Sequence, residues 1–229
     1  MTSVIPAILM ILTSTAQFDS TTPTGLWFEE FAVPYEIFLS EGWEVTVVSV
    51  QGGKVPLDPR STANLDEKAK SGGAMRALEQ TISLKEINPS DYNAVFFPGG
   101  HGTMFDFPEN PNINAAIQAV VKKDGVIAAV CHGPAAFVGA KDSEGKPIVS
   151  GRRLTSFTNA EEIAAQLEKH VPFLLESKLR ELGAEFVLGE NFKENVVVDD
   201  NLITGQNPAS SAAAAKAVVQ ALKAVSVDR

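Results

Sequence analysis

A mostly parallel, doubly wound α/β sheet with helices on both faces is the fold class this sequence predicts, on three observations. Ala7–Leu12, Ala94–Phe97 and Val126–Val130 are short, nearly continuous apolar runs of the kind buried on both faces of a parallel sheet. Segments whose apolar residues recur at helical spacing lie between them, giving the βαβ alternation. No internal repeat and no biased linker interrupts the 229 residues, so 1–229 reads as one domain.

Val4 to Leu12 is apolar, but Met1-Thr2-Ser3 carries no basic side chain and Pro6 interrupts the run. That predicts a buried first strand rather than a targeting or membrane segment. A polar loop, Ser14 to Thr24, follows. Phe28 to Leu39 then places Phe28, Phe31, Ala32, Tyr35, Phe38 and Leu39 on one helical face, with Gly42 beyond its end. Pro34 inside it should kink the helix or mark its true first turn. Trp43 to Ser49 alternates and is β-branched, a second strand. Gln51 to Arg60 is a Gly- and Pro-rich loop, and Asn64 to Leu84 reads as helical pieces outside the sheet. Ile87 to Tyr92 turns the chain into strand Ala94–Phe97, which empties into Pro98-Gly99-Gly100-His101-Gly102.

Pro111 opens a helix to Lys123, with proline well placed in its first turn. Then comes the strand ending Val130-Cys131-His132-Gly133-Pro134, followed by Ala135 to Val138, where a helix can begin. Strand, turn, nucleophile and helix make a nucleophile elbow. A helix N-terminus there would favour the thiolate. Lys141 to Lys146 is a charged turn and Arg153 to Phe157 a strand. Thr158 or Asn159 caps a helix carrying Glu161 and Glu162, and Val171 to Leu182 forms another, closed by Gly183. Glu185 to Leu188, Val196 to Val198 and Leu202 to Gly205 are further strands. An Ala-rich helix, Ala209 to Val225, packs last.

The composition narrows the functional classes. A net charge of -9 opposes phosphate backbones, which argues against nucleic-acid and anionic-membrane partners. One cysteine forbids an internal disulfide and fits a reducing, cytoplasmic setting. Three histidines scattered along the chain predict no dedicated metal site.

Loops at one edge of a parallel sheet meet in space. That edge would gather Glu30, the Gly99-Gly100-His101 loop and Cys131-His132. Consecutive glycines let backbone N–H groups approach an oxyanion closely. Glu30, among Phe28, Phe31 and Ala32, would hold its proton through burial and hydrogen-bond the cysteine sulfur. Trp27 would wall the pocket or pack, and His101 would touch substrate or sit exposed.

Cys131-His132-Gly133-Pro134 with Pro98-Gly99-Gly100-His101-Gly102 upstream resembles the ThiJ/PfpI superfamily. The stretches from Thr24 to Glu30, from Gly52 to Ser61 and from Gly205 to Ser210 resemble its heat-shock chaperone and glutathione-independent glyoxalase branch. The resemblance covers nearly the whole chain and implies a flavodoxin-like, class I glutamine amidotransferase-like fold. It implies that Cys131 is the nucleophile, that Glu30 hydrogen-bonds its sulfur, and that His132 and an acid complete a triad. Spacing after Phe157-Thr158 puts that acid at Glu162, with the adjacent Glu161 also open. The N–H groups of Gly100, with Gly99 beside it, and of His132 would form the oxyanion hole. A 2-oxoaldehyde such as methylglyoxal would become D-lactate with no cofactor. Homodimers occur among such proteins, and unfolded polypeptides are further partners the resemblance suggests. Two rivals use the same cysteine: a hydrolase, and a holdase chaperone or redox sensor. An amidotransferase would need a late His-x-Glu pair, whereas His170 is followed by Val171-Pro172.

Overall fold

The computed structural model describes residues 5–227, so the start of the predicted first run, Val4, lies outside it. Ala7–Leu12 is β1, Phe28–Ser40 is α1 and Glu44–Ser49 is β2. Three short helices follow, α2 (Pro59–Thr62), α3 (Glu67–Ser71) and α4 (Gly73–Ala77), and then β3 (Ile82–Ser83). β4 is Ala94–Phe97, α5 Thr103–Asp106, α6 Pro111–Val121 and β5 Val126–Val130. The remainder comprises β6 (Arg153–Leu154), α7 (Asn159–Ala164), α8 (Leu175–Glu181), β7 (Glu185–Phe186), β8 (Val196–Asp199), β9 (Leu202–Gly205) and α9 (Ser211–Val227).

Seven strands form one sheet in the order β3-β2-β1-β4-β5-β9-β8. All pair in parallel except β8, which runs antiparallel to β9 at the edge. The period of two along each strand sorts side chains between two cores. Leu9, Ile11, Val95, Phe97, Ile127 and Ala129 face Ile113, Ile117 and Val120 of α6. Ile8, Met10, Ala94, Phe96, Ala128 and Val130 face Phe31 and Phe38 of α1 and Ala214, Ala215 and Val218 of α9. Helices therefore cover both faces. The chain winds outward from β1 in both directions, leaving a crevice at the carboxyl ends of β1 and β4.

Several boundaries differ from the sequence reading. Pro34 lies in the middle of α1 and not in its first turn. Ile82–Ser83 belongs to the central sheet, pairing with Val48 and Ser49, although its surroundings are polar. Beyond Leu154 the chain leaves its small two-stranded sheet with β7, and Thr155 donates instead to the Thr204 hydroxyl. The helix expected from Val171 starts only at Leu175, and Val187 and Leu188 lie beyond β7. Immediately past Cys131 the chain forms a 3-10 turn, Gly133–Phe137, and not an α-helix.

Candidate active site

Cys131 follows the last residue of β5 in the left-handed region, φ 59°. Non-glycine residues adopt it at a cost, and here both main-chain groups hold it. Its N–H donates to the Gly205 carbonyl at 2.9 Å and its carbonyl accepts from the Phe157 N–H at 2.8 Å. A Cβ on Gly133 would lie 2.1 Å from the Phe97 carbonyl oxygen, so the turn leaving the cysteine passes where only glycine fits.

From this elbow the thiol meets two polar groups. Cys131 Sγ is 3.3 Å from His132 Nδ1, and His132 Nε2 is 2.7 Å from Glu162 Oε2. Burial alone would raise the Glu162 carboxyl, but His132 and the imidazole hydrogen bonds overcome it and hold the group well below the usual carboxylate range. An ionised carboxylate only accepts, so His132 donates from Nε2 and turns its bare Nδ1 to the thiol. The neighbouring acids divide sharply. Glu161 caps its own helix through Thr158 and accepts from the Phe192 N–H and Asn207 Nδ2, whereas Glu162 is the acid on His132.

Glu30 is fully buried on α1. Burial, the dominant cause, raises its carboxyl to about 8 against the opposing influence of the Cys131 side chain and the Gly99 N–H. Oε2 accepts the Gly99 N–H at 2.7 Å, while Oε1 has no completed hydrogen bond. At neutral pH the proton therefore belongs on Oε1, where the cysteine side chain can accept it. Burial, with the Glu30 charge second, pushes the Cys131 thiol well above its ordinary value. That runs against the expected low-pKa thiolate, because desolvation governs.

The glycine loop is corrected in one detail. Gly99 spends its N–H on Glu30 and is no oxyanion donor. A Cβ there would come within 2.7 Å of Glu30 Oε2, the His132 nitrogen and the Val130 carbonyl. Gly100, at φ 98°, packs against the Trp27 nitrogen. Trp27 joins the site through its backbone, donating to the Gly99 carbonyl and accepting from the Glu30 N–H.

His101 is not an exposed loop residue. It is 5% exposed, and its Nε2 lies 2.7 Å from Glu162 Oε1, so one carboxylate carries two imidazoles. The rings of His101 and His132 are 4.0 Å apart, with Phe157 4.6 Å from His132. Two of the three histidines thus converge, contrary to the scattered picture. Nitrogen and oxygen atoms of His101, His132 and Glu162 fall within 4.8 Å of one another, the described residues' one such cluster. A cation entering it would have to break both imidazole–carboxylate hydrogen bonds.

The model of the DJ-1/PfpI family matches residues 28–221, spanning the elbow, both histidines and Glu162. The chain belongs to the DJ-1/PfpI family. Among DJ-1/PfpI relatives, the Saccharomyces cerevisiae glutathione-independent glyoxalase HSP31 is 32% identical over 94% of this chain and 98% of its own length. The crystal structure of glyoxalase III from Candida albicans covers 94% of this chain and 97% of its own, at 28% identity and a TM-score of 0.85. The Francisella tularensis Rapid Encystment Protein 24 KDa gives a TM-score of 0.91 at 36% identity, covering 95% and 99%. No helix among the described residues is long and apolar enough to cross a membrane.

Sequence reasoning did not find Asp58, Arg60 or Phe18 at this site. Arg60 forks onto buried Asp58 and reaches His101 Nδ1 at 3.3 Å, under the Phe18 ring. The signal present was Asp58-Pro59, an N-cap followed by proline at N1. It announces a helix start and says nothing of the partner across the crevice.

Proposed function

We propose that this protein is a glutathione-independent glyoxalase that converts a small 2-oxoaldehyde, such as methylglyoxal, to the 2-hydroxy acid, D-lactate in that case. The observation that carries this reading is the thiol–imidazole–carboxylate line of Cys131, His132 and Glu162, with Glu30 buried against the sulfur. The relatives' names support the substrate class.

Cys131 attacks the aldehyde carbon as His132 Nδ1 accepts the thiol proton, forming a hemithioacetal. The main-chain N–H groups of Gly100 and His132, for which no acceptor is found among the described residues, face the developing oxyanion. Glu30 donates to the sulfur while negative charge resides there. His132, oriented by Glu162, then moves a proton from the first carbon to the second through an enediol. The first carbon is oxidised and the second reduced, so no external electron acceptor enters. Water hydrolyses the resulting thioester, releasing the acid and restoring the thiol.

The single unpaired cysteine fits work in a reducing, cytoplasmic compartment, and the family resemblance supports a homodimer. The test is D-lactate formation from methylglyoxal without glutathione or added metal. Wild type should turn over, Cys131→Ala should lose at least roughly a thousandfold in kcat, and Glu162→Ala on the order of a hundredfold. A well-folded wild type that leaves methylglyoxal intact overturns the reading.

A further inference from the structure

We propose that Arg60 is a positioning residue, which fixes the His101 ring through a hydrogen bond to its Nδ1 and thereby holds the Glu162 carboxylate in place for His132. The inference rests on the glyoxalase reading for its kinetic consequence and on geometry for its cause.

A guanidinium has no acceptor and stays charged, so the 3.3 Å contact between Arg60 Nη2 and His101 Nδ1 has one sense: Arg60 donates. The neutral ring must then carry its single proton on Nε2. That nitrogen lies 2.7 Å from Glu162 Oε1 and donates to it. Burial, with His132 next, draws His101 down to about 4, which keeps the ring neutral at ordinary pH. The opposite tautomer would set a bare Nε2 lone pair against a carboxylate oxygen, in a place 5% or less exposed. That contact is repulsive and leaves a buried acceptor unpaired.

Arg60 is itself fixed from two sides, by Asp58 and by the Phe18 ring. Its Nε donates to Asp58 Oδ1 at 2.8 Å and its Nη2 to Asp58 Oδ2, forming a planar fork on a buried carboxylate. Thr24 donates to the same Oδ2 at 3.0 Å. The Phe18 ring lies 5.6 Å from the guanidinium carbon and 5.3 Å from the His101 ring centroid. The line from Asp58 through Arg60, His101 and Glu162 to His132 thus has one donor and one acceptor at each joint. Both carboxylate oxygens of Glu162 are held, so it cannot swing away when His132 takes up the thiol proton.

Arg60→Met leaves Asp58 buried without its cation, so Asp58→Asn/Arg60→Met is prepared beside it. Both should lower kcat for methylglyoxal by roughly tenfold while KM stays within about twofold. Read by 15N NMR, the His101 Nδ1 resonance should move toward that of an unbonded imine nitrogen, while Nε2 keeps its proton on Glu162. In a His101→Gln background the amide donates to Glu162 whatever Arg60 does, and there the Arg60 substitution should have no further effect on kcat. An unchanged 15N pattern in a folded Arg60 variant overturns the proposal. So does the same fold-loss with and without His101→Gln, because Arg60 would then act by another route. The 15N result decides the Arg60–His101 hydrogen bond even if wild type fails to turn over methylglyoxal, which would sink the glyoxalase reading alone.

Discussion

The proton on Glu30 links the stability of the protein to its chemistry. Its carboxyl rises from 4.5 in free solution to about 8 in the fold, chiefly through burial. Between those values the folded state holds a proton that the unfolded chain has released. Stability from this group is therefore complete below about pH 4.5 and lost as pH climbs through 8, up to about 5 kcal/mol in all. Glu30→Gln should flatten that part of the curve, measured as the difference in urea-unfolding free energy between the two proteins from pH 5 to 9. The amide still offers a carbonyl to Gly99 and an N–H to the sulfur, so the variant should stay active. Wild-type kcat should fall above pH 8, where Glu30 can no longer donate, and that alkaline limb should vanish in Glu30→Gln. Retention of the limb would separate Glu30 from the sulfur's chemistry.

At the scale of elements, the site depends on close passages of backbone. Gly99→Ala would press a methyl group onto Glu30 Oε2, the His132 nitrogen and the Val130 carbonyl at once. Backbone atoms cannot step aside, so the β4 loop must shift, taking the Gly100 N–H with it. The expected outcome is a fall of more than about a hundredfold in kcat with the far-UV circular dichroism spectrum preserved. Gly133→Ala meets the Phe97 carbonyl at 2.1 Å and should cost upwards of about 3 kcal/mol, read as a lowered Tm. The strands flanking these loops were legible because a doubly buried strand is written as a continuous apolar run, as in Ala94–Phe97 and Val126–Val130. The elbow was legible because Gly133-Pro134 bends the chain immediately after a thiol. Ile82–Ser83 was not, since two residues carry no period. The choice between Glu161 and Glu162 was equally closed to sequence. Adjacent helical residues point about 100° apart, and which one faces His132 depends on the pose of α7. Arg60 stayed hidden because its partner, His101, lies 41 positions away.

Across the whole molecule, both cores share β1, β4 and β5, one layer on each face of the same strands. Neither can be lost while the other stands. Unfolding in urea should therefore be one transition, with far-UV circular dichroism and the fluorescence of buried Trp43 coinciding; separated midpoints would reveal two independent units. The expected parallel sheet emerges with a single antiparallel edge strand. The bonds that complete the site are long in sequence, Glu30 to Gly99 over 69 positions and His101 to Glu162 over 61. Contacts of such span are entropically slow to close. The chain holds one thiol, 4% exposed once folded, at the place where these distant segments meet. Pulsed alkylation during refolding would then time the closing of the crevice, since every chain still labelled has yet to bring its loops together over Cys131.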